Sequence, residues 1–280
     1  MKTLVVRPLG GLANRMRAIE AASVYAKKFM ARLIIIWEEN EFLFATFEQC
    51  FEPIDGVKVI NINTLGQGLY FRAKRKVLNI FFLWLGKLIF DIRLYDITIK
   101  KYLSKDKTPR LEETFFEIIT KSNKTVYLET CYEFYPSPKS LLLTIKKNIR
   151  EKAITILEPY NEFIGVHIRR TDNLEAIDNS PTELFIEKMN VILQERPTIK
   201  FYISTDSDEL LHNLKNIYKD KVFSGAVQRA RHTTEGIMSA LIDLYCLSKS
   251  KKILGSFDSS FSEMAAKMGN VPLEIITKNA

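Results

Sequence analysis

The stretch FIGVHIRRTDN, residues 163–173, decides the fold, because an apolar run there ends abruptly in a histidine, two arginines and an aspartate. A continuous apolar run is typical of a strand in a parallel sheet, which is buried on both faces. Open parallel sheets bind ligands at the carboxyl ends of their strands. Neighbouring strand residues point to opposite faces, so we expect one of Arg169 and Arg170 to reach a ligand and the other to brace the loop. A guanidinium there suits a phosphate, and a structural Arg–Asp pair is the alternative.

Strands and helices alternate along the rest of the chain, which predicts an α/β fold with parallel sheets. The chain opens with a strand over residues 4–7, a helix over residues 12–29 and a buried strand over residues 33–37. Later strands are predicted over residues 57–60, 126–129, 199–204, 222–223, 253–254 and 273–276, and later helices over residues 184–193, 210–217, 237–247 and 261–268.

Prolines within residues 136–138 interrupt the chain between two such halves. A helix predicted over residues 142–156 then leads to the strand that carries His167. We therefore predict two domains, residues 1–137 and residues 138–280.

The 280 residues have an ordinary globular composition, with 46% hydrophobic and 26% charged residues. The net charge of +8 is spread in small lysine clusters, which favours an anionic ligand or an anionic membrane surface over nucleic acid. Three widely spaced cysteines and no signal-peptide pattern indicate the cytoplasm. The apolar stretch Val77–Phe90 is interrupted by Asn79 and Lys87, so it predicts a buried helix, with membrane contact as the alternative.

A turn with two glycines, Gly10 and Gly11, separates the first strand from the first helix. Paired glycines let the backbone approach a ligand, and a helix N-terminus offers free N–H groups to an anion. The spacing is not that of a dinucleotide-binding fingerprint. We expect Asn14 and Arg15, one turn into the helix, to reach back over the ligand.

Two more strands end in polar residues. Asp206 and Asp208 follow one strand in a D-x-D spacing, which indicates either metal-binding carboxylates or a helix N-cap at Asp206 or Ser207. Ser259 and Ser260 follow another strand, where hydroxyl and helix N–H groups suit a phosphate, although serine N-caps are common.

Asp243 lies amid apolar residues of a predicted helix. A carboxylate held in a cleft can accept hydrogen bonds from the N1–H and N2 amino groups of guanine, and a place on the polar helix face is the alternative. The three histidines lack the spacing of a zinc site.

Together these segments resemble the fucosyltransferase superfamily, which includes α1,2-, α1,6-, nodulation-type and protein O-fucosyltransferases. The motifs occur in the family's order: GGLANRM at residues 10–16, HIRRTD at residues 167–172, STD at residues 204–206, Asp243, and SSFS at residues 259–262. The resemblance implies a GT-B-like architecture of two Rossmann-like domains, with the acceptor side in residues 1–137 and GDP-sugar binding in residues 138–280. It also implies a GDP-fucose donor, inversion at the anomeric carbon and no required metal.

The resemblance further assigns roles to individual residues on the donor side. Arg169 is expected to hold the β-phosphate of the donor, and His167 and Asp243 the guanine side. Ser259 or Ser260 is expected to bind the phosphates.

The remaining assignments concern supporting and catalytic groups. Asp206 makes a supporting contact near the donor, and Asn14 in the glycine turn faces the diphosphate. Asp172 and Glu38, each at a strand end, are the candidates for a base that deprotonates the acceptor hydroxyl.

The sequence thus predicts a cytoplasmic enzyme that transfers L-fucose from GDP-fucose to a hydroxyl of a glycan or lipid-linked glycan, with peripheral association with an anionic membrane as an added expectation. Two alternatives stay open at this point. The donor is another nucleotide-diphosphate sugar, or the chain is a non-catalytic module that binds a guanine nucleotide.

Overall fold

The computed structural model of the chain describes residues 2–63, 90, 92–95, 125–137, 142–171, 173–225 and 232–278. Two compact units make up the chain. Unit 1 comprises Met1–Pro138 and Leu142–Thr144, and unit 2 comprises Lys139–Leu141 and Ile145–Ala280. Each unit contains a five-stranded sheet whose paired strands are all parallel. The predicted α/β class with two Rossmann-like domains is confirmed.

Unit 1 has the sheet order β3-β2-β1-β5-β4. Its elements are β1 (Thr3–Pro8), α1 (Leu12–Lys28), β2 (Arg32–Glu39), α2 (Phe47–Cys50), β3 (Val57–Asn63), β4 (Ile92–Tyr95) and β5 (Thr125–Thr130). The sequence pattern did not predict β4 or the single turn of α2, since both are too short to show a hydrophobic period.

Unit 2 has the sheet order β10-β9-β6-β7-β8. Its elements are α3 (Lys147–Leu157), β6 (Phe163–Ile168), α4 (Leu174–Asn179), α5 (Thr182–Glu195), β7 (Lys200–Thr205), α6 (Asp208–Tyr218), β8 (Val222–Phe223), α7 (Thr234–Ser248), β9 (Ile253–Ser256), α8 (Ser260–Gly269) and β10 (Leu273–Ile276). The order reverses between β6 and β9, and such a reversal opens a ligand crevice at the carboxyl ends of the strands.

The prediction of a helix over residues 142–156 is wrong at its start, because α3 begins at Lys147. Residues Leu142 and Leu143 belong to unit 1 instead, where their backbone N–H groups donate to the carboxylate of Glu20. Glu20 is fully buried on α1, so these two bonds anchor residues 142 and 143 to that helix.

The two faces of the unit 2 sheet differ in polarity. One face packs on α5 and α6 through an apolar core that includes Ile164, Val166, Ile168, Phe185, Met189, Phe201, Ile203, Leu210, Leu214 and Leu254. The other face carries a row in which His167 on β6 is paired with Ser204 on β7 and Gly255 on β9. Because side chains alternate along a strand, the pattern places polar groups on the α7 and α8 side of the sheet.

Within the described residues, no helix is long and apolar enough to cross a membrane. The apolar helix predicted over Val77–Phe90 lies outside the described residues, apart from Phe90 itself.

Arg15 on α1 is wholly buried and ties the glycine turn to the end of β2. Its guanidinium donates to the backbone oxygen of Gly10 at 2.8 Å, to the backbone oxygen of Glu38, and to Oδ1 of Asn40 at 2.9 Å. Burial lowers the pKa of Arg15 to about 10, so the group stays charged at neutral pH. The expectation that Arg15 reaches over a ligand is therefore wrong.

We predict that Arg15→Ala destabilises unit 1, because two buried acceptors and one partly buried acceptor lose a charged donor. An unsatisfied buried acceptor costs about 1–3 kcal/mol, so the free energy of unfolding should fall by about 3 kcal/mol or more. Urea unfolding followed by circular dichroism measures the change. Arg32→Ala, at an exposed arginine that begins β2, is the control and should cost less than about 0.5 kcal/mol. Similar small losses in both variants would contradict the structural role of Arg15.

Candidate functional site

The carboxylate of Asp206, just after β7, organises the turn that follows β6. Its Oδ1 accepts a hydrogen bond from the backbone N–H of Arg170 at 2.7 Å. Its Oδ2 accepts from Thr171, at 2.6 Å from the hydroxyl and 3.3 Å from the backbone N–H. The same Oδ2 lies 3.2 Å from Nε of Arg169. Asp206 thus fixes both the turn and the charged side chain that the turn presents.

The D-x-D segment divides its roles among three residues. Ser207 is the N-cap of α6, since its Oγ accepts from the backbone N–H of Leu210 at 3.2 Å. Asp208 is an exposed residue in the first turn of that helix. Among the residues that the structure describes, no group of three or more His, Cys, Asp or Glu side chains is arranged to hold a metal ion.

The two arginines after β6 have different surroundings. The guanidinium of Arg170 donates to Oγ1 of Thr182 at 3.0 Å and to the backbone oxygens of Arg169 and Ser180, at 2.6 and 2.8 Å. Arg170 therefore braces the turn, as one of the two was expected to do. The side chain of Arg169 is 21% exposed and is the arginine presented at the edge of the sheet.

His167 is buried and neutral on β6, directly before this turn. Its Nδ1 lies 2.8 Å from Oγ of Ser262 and 3.4 Å from Oγ of Ser259. Its ring centroid lies 4.8 Å from that of Phe261. Burial, together with the nearby charge of Arg169, lowers the pKa of His167 to about 3. The imidazole therefore acts as a neutral hydrogen-bonding group at physiological pH.

The N-terminus of α8 lies at the end of β9, beside β6. Ser259 is the N-cap residue but makes no side-chain capping bond, and half-buried Ser260 begins the helix. The N–H groups of a first helical turn have no intrahelical partner and carry partial positive charge. Ser256 joins the two strand ends, since its Oγ accepts from the backbone N–H of Arg169 at 3.0 Å and donates to the backbone oxygen of His167 at 3.2 Å.

Gly255 lets α8 approach the sheet closely. A Cβ at this position would lie 2.8 Å from Cβ of Ser262, closer than two such atoms can pack. The sequence analysis singled out neither Gly255 nor Ser256. Their positions at the end of a short apolar strand were the sequence signal that could have identified them as site residues.

Asp243 lies on α7 and is only 5% exposed, so the alternative of a surface position on the polar helix face is wrong. Its Oδ1 accepts from the hydroxyl of Tyr202 at 2.5 Å and its Oδ2 from Oγ of Ser204 at 2.9 Å. Burial and the nearby carboxylate raise the pKa of Tyr202 well above its usual value, so that hydroxyl stays a donor. A carboxylate oxygen accepts more than one hydrogen bond, so these two bonds orient Asp243 without exhausting it.

The structure thus brings together most of the predicted donor-side residues within unit 2. The predicted donor-side residues of unit 1 are Gly10, Gly11 and Asn14, in and just after the glycine turn. Gly10 has a φ of 77°, in the left-handed region that favours glycine. A Cβ there would lie 2.9 Å from Nδ2 of Asn14, so the Asn14 amide lies against the turn. Gly11 is the N-cap residue of α1, so no side chain caps the N-terminus of this helix. The candidate base Asp172 lies outside the described residues.

The other candidate base, Glu38, is buried. Its side chain is 2% exposed and its Oε2 accepts from Nη2 of Arg7 at 2.6 Å. A general base must lie within hydrogen-bond reach of the proton it removes. This placement argues against Glu38 as the base and in favour of a structural ion pair.

Two Rossmann-like units, one of which presents an arginine and an uncapped helix N-terminus at its strand-order reversal, are typical of proteins that bind nucleotides. The sequence profile of Glycosyl transferase family 11 matches residues 11–270. The chain belongs to this family, and its predicted membership of the fucosyltransferase superfamily is confirmed.

Solved structures with a similar fold are also fucosyltransferases. NodZ, an α-1,6-fucosyltransferase of Bradyrhizobium soaked with GDP-fucose, is 19% identical with a TM-score of 0.64 over 98% of this chain and 94% of that chain. POFUT1 in complex with GDP is 11% identical with a TM-score of 0.54 over 98% of both chains. A variant of Arabidopsis thaliana FUT1 in complex with GDP is 16% identical with a TM-score of 0.58 over 98% of this chain and 70% of that chain. No curated protein sequence matches significantly.

The buried state of His167 predicts a pH dependence of stability. Below the ordinary histidine pKa of 6.5 the unfolded chain takes up a proton, whereas the folded chain does so only near pH 3. Stability is therefore lost as the pH falls from 6.5 towards 3, by about 1–2 kcal/mol between pH 7 and pH 5 for this residue. In His167→Gln this part of the pH dependence should disappear.

Denaturant unfolding of both proteins at several pH values measures the difference. His212→Gln, at an exposed histidine, is the matched control and should keep the wild-type dependence. An identical pH dependence in wild type and His167→Gln would show that His167 is not held neutral.

Proposed function

We propose that the protein transfers L-fucose from GDP-fucose to a hydroxyl group of a glycan or lipid-linked glycan acceptor, with inversion at the anomeric carbon. Membership of Glycosyl transferase family 11 supports the reaction class. NodZ soaked with GDP-fucose and POFUT1 and FUT1 in complex with GDP support the donor. The observation that carries the proposal is the guanidinium of Arg169, held by Asp206 at the strand-order reversal of unit 2, where β9 leads into the uncapped N-terminus of α8.

The diphosphate of the donor binds, in this proposal, between Arg169 and the first turn of α8, where Ser259 and Ser260 add hydroxyl groups. As the bond to the sugar breaks, negative charge develops on the leaving GDP. Groups that are already oriented towards this charge stabilise the transition state without a reorganisation cost. The contact of Asp206 with Nε fixes the plane of the Arg169 guanidinium in advance.

Guanine recognition is assigned to Asp243, with His167 on the same side of the sheet. The Asp243 carboxylate accepts hydrogen bonds from N1–H and the N2 amino group, a pair of donors that uracil does not present. Tyr202 and Ser204 hold the carboxylate in one orientation. This orientation gives the site a preference for GDP over UDP.

The remaining parts of the proposal concern the metal, the acceptor and the location. Arg169 and the α8 N-terminus supply positive charge at the diphosphate, so we propose that no metal is required. Unit 1 is assigned to the acceptor side, and Gly10, Gly11 and Asn14 are assigned to donor binding. The enzyme acts in the cytoplasm, with peripheral association with an anionic membrane where lipid-linked acceptors lie.

We predict that GDP stabilises the protein against heat, while UDP does so much less. A ligand at 100 times its dissociation constant adds about 2.7 kcal/mol of stability. Asp243→Asn should weaken GDP binding about tenfold or more, since one acceptor oxygen becomes a donor. Asp208→Asn, at the exposed aspartate of the D-x-D segment, is the matched control and should bind GDP as the wild type does.

Calorimetric titration with GDP, UDP and both variants decides this assignment. Equal affinity for GDP and UDP would contradict guanine recognition. Turnover with GDP-mannose but not with GDP-fucose would keep the nucleotide site and reject the sugar, and GDP binding without any turnover would reject the enzyme.

We predict that Arg169→Lys folds normally but transfers fucose about 100 to 1,000 times more slowly, because lysine keeps the charge but loses the planar fork. Activity of the wild type should persist in excess EDTA. Arg196→Lys, at an arginine whose side chain is 49% exposed, is the control. Arg170→Lys is unsuitable as a control, because the loss of its bonds to Thr182 and Ser180 disturbs the turn.

An assay of released GDP measures both outcomes. Near-wild-type turnover in a folded Arg169→Lys protein would contradict the donor site. Activity that EDTA abolishes and Mg²⁺ restores would contradict the metal-free proposal.

A further inference from the structure

Ser180, in the short segment between α4 and α5, is wholly buried and uses its hydroxyl group twice. Its Oγ accepts a hydrogen bond from the backbone N–H of Phe257 at 2.8 Å and donates to the backbone oxygen of Ile276 at 2.5 Å. An amide N–H can only donate and a carbonyl oxygen can only accept, so the hydroxyl is needed in both of its roles. Neither the sequence analysis nor the proposed donor site accounts for this hydroxyl group.

The backbone of Ser180 contacts the turn that follows β6. Its oxygen accepts from Nη2 of Arg170 at 2.8 Å, and Oγ1 of Thr182 accepts from Nε of the same guanidinium at 3.0 Å. Its N–H donates within α4, to the backbone oxygen of Ala176 at 3.0 Å. Ser180 therefore connects the turn after β6, which presents Arg169, with the turn after β9, which leads into α8.

The turn between β9 and α8 depends on contacts from outside itself. Asp258 has a φ of 46°, in the left-handed region that residues other than glycine adopt uncommonly. Such a conformation persists where the surrounding structure determines it. Two contacts from the α4 segment do so, since Phe257 donates to Ser180 and the backbone oxygen of Asp258 accepts from Nδ2 of Asn173 at 3.4 Å. The start of α8 is thus held by the α4 segment, because Ser259 makes no capping bond.

The end of α4 also contacts the strand ends on which both turns rest. Ile276 on β10 is the register partner of Ser256 on β9. Oγ of Ser256 accepts from the backbone N–H of Arg169 at 3.0 Å. The backbone N–H of Lys278, just beyond β10, donates to the backbone oxygen of Asn179 at 3.0 Å. The bond from Ser180 to Ile276 therefore joins the end of α4 to the carboxyl edge of the sheet.

We infer that Ser180 is a positioning residue for the diphosphate of the donor, because its contacts set the start of α8 relative to the turn that presents Arg169. This inference rests on the proposed function. Ser180 acts through the backbone of Phe257 and the guanidinium of Arg170, without contact with the donor. Stabilisation of charge on the leaving group depends on positive groups whose positions are fixed in advance. A shift of one turn relative to the other removes that advantage.

A selective loss of phosphate recognition is the expected signature. The carboxylate of Asp243, which is assigned to guanine, is held by the hydroxyl groups of Tyr202 and Ser204. A change at Ser180 should therefore weaken ligands that carry a diphosphate and leave the binding of guanosine unchanged. A general folding defect would weaken both kinds of ligand.

The test compares Ser180→Ala with the wild type by calorimetric titration of GDP and of guanosine, the latter in competition with GDP. Alanine removes the hydroxyl that bonds to Phe257 and Ile276. We expect the affinity for GDP to fall about tenfold and kcat for fucose transfer to fall about tenfold or more, because small displacements of binding groups are costly in catalysis. The affinity for guanosine should stay within about twofold of the wild type.

Two further variants complete the design. Ser250→Ala is the matched control, since Ser250 is also buried and its Oγ lies 2.7 and 3.0 Å from the backbone oxygens of Leu247 and Lys252, before the amino end of β9. It should lower the melting temperature and leave GDP affinity and kcat near those of the wild type. Ser180→Cys keeps both hydrogen-bonding roles in weaker form, so its GDP affinity should lie between those of the wild type and Ser180→Ala. The same ratio of GDP to guanosine affinity in Ser180→Cys decides the test if Ser180→Ala does not fold.

The outcomes separate this inference from the proposed function. If the wild type neither binds GDP nor turns over GDP-fucose, the proposed function fails. If the wild type is active and the Ser180 variants keep its GDP affinity and kcat, the positioning role alone is overturned. A loss of GDP and guanosine affinity by the same factor, or an equal loss of kcat in Ser250→Ala, also overturns it and leaves Ser180 with a role in folding alone.

Discussion

The presentation of Arg169 depends on one carboxylate, that of Asp206. Two adjacent arginines at the end of a buried strand repel each other, and burial of either charged guanidinium group is unfavourable. Asp206 contacts Nε of Arg169 and accepts from the backbone of Arg170 and from Thr171, so it compensates charge and shapes the turn together. The proposed chemistry of the donor site follows from this arrangement, because a guanidinium stabilises a leaving phosphate most when its position is already fixed.

The rest of the unit 2 site follows from the alternation of side chains along parallel strands. One face of the sheet is an apolar core, and its opposite face carries His167, Ser204 and the close approach at Gly255. Polar groups on that face are buried under α7 and α8, so each must be hydrogen-bonded or neutral. His167 is neutral beside the hydroxyl of Ser262, and Asp243 accepts from two hydroxyl groups. The hydrogen bonds that satisfy these buried polar groups therefore also orient the groups that are proposed to recognise the donor.

The periodicity of hydrophobic residues along the sequence predicted the longer strands and helices. The polar residues that follow the strands predicted the edge of the sheet at which the unit 2 site lies. Side-chain surroundings were not predictable in the same way. Arg15 and Glu38 read as functional residues, yet contacts with Asn40 and Arg7, distant in sequence, make both structural. The ion pair of Glu129 on β5 with Arg7 on β1 was not predicted for the same reason, since the two residues lie far apart in the sequence.

The central claim is that Asp206 acts on the donor through Arg169, and a double-mutant cycle on GDP affinity tests it most directly. Calorimetric titration of the wild type, Asp206→Asn, Arg169→Lys and the double variant gives the coupling free energy. Residues that act through each other couple by about 0.5–3 kcal/mol, and we predict about 1 kcal/mol or more, with the second substitution costing little once the first is made. Additive effects within about 0.5 kcal/mol, in four proteins with similar melting temperatures, would contradict the account.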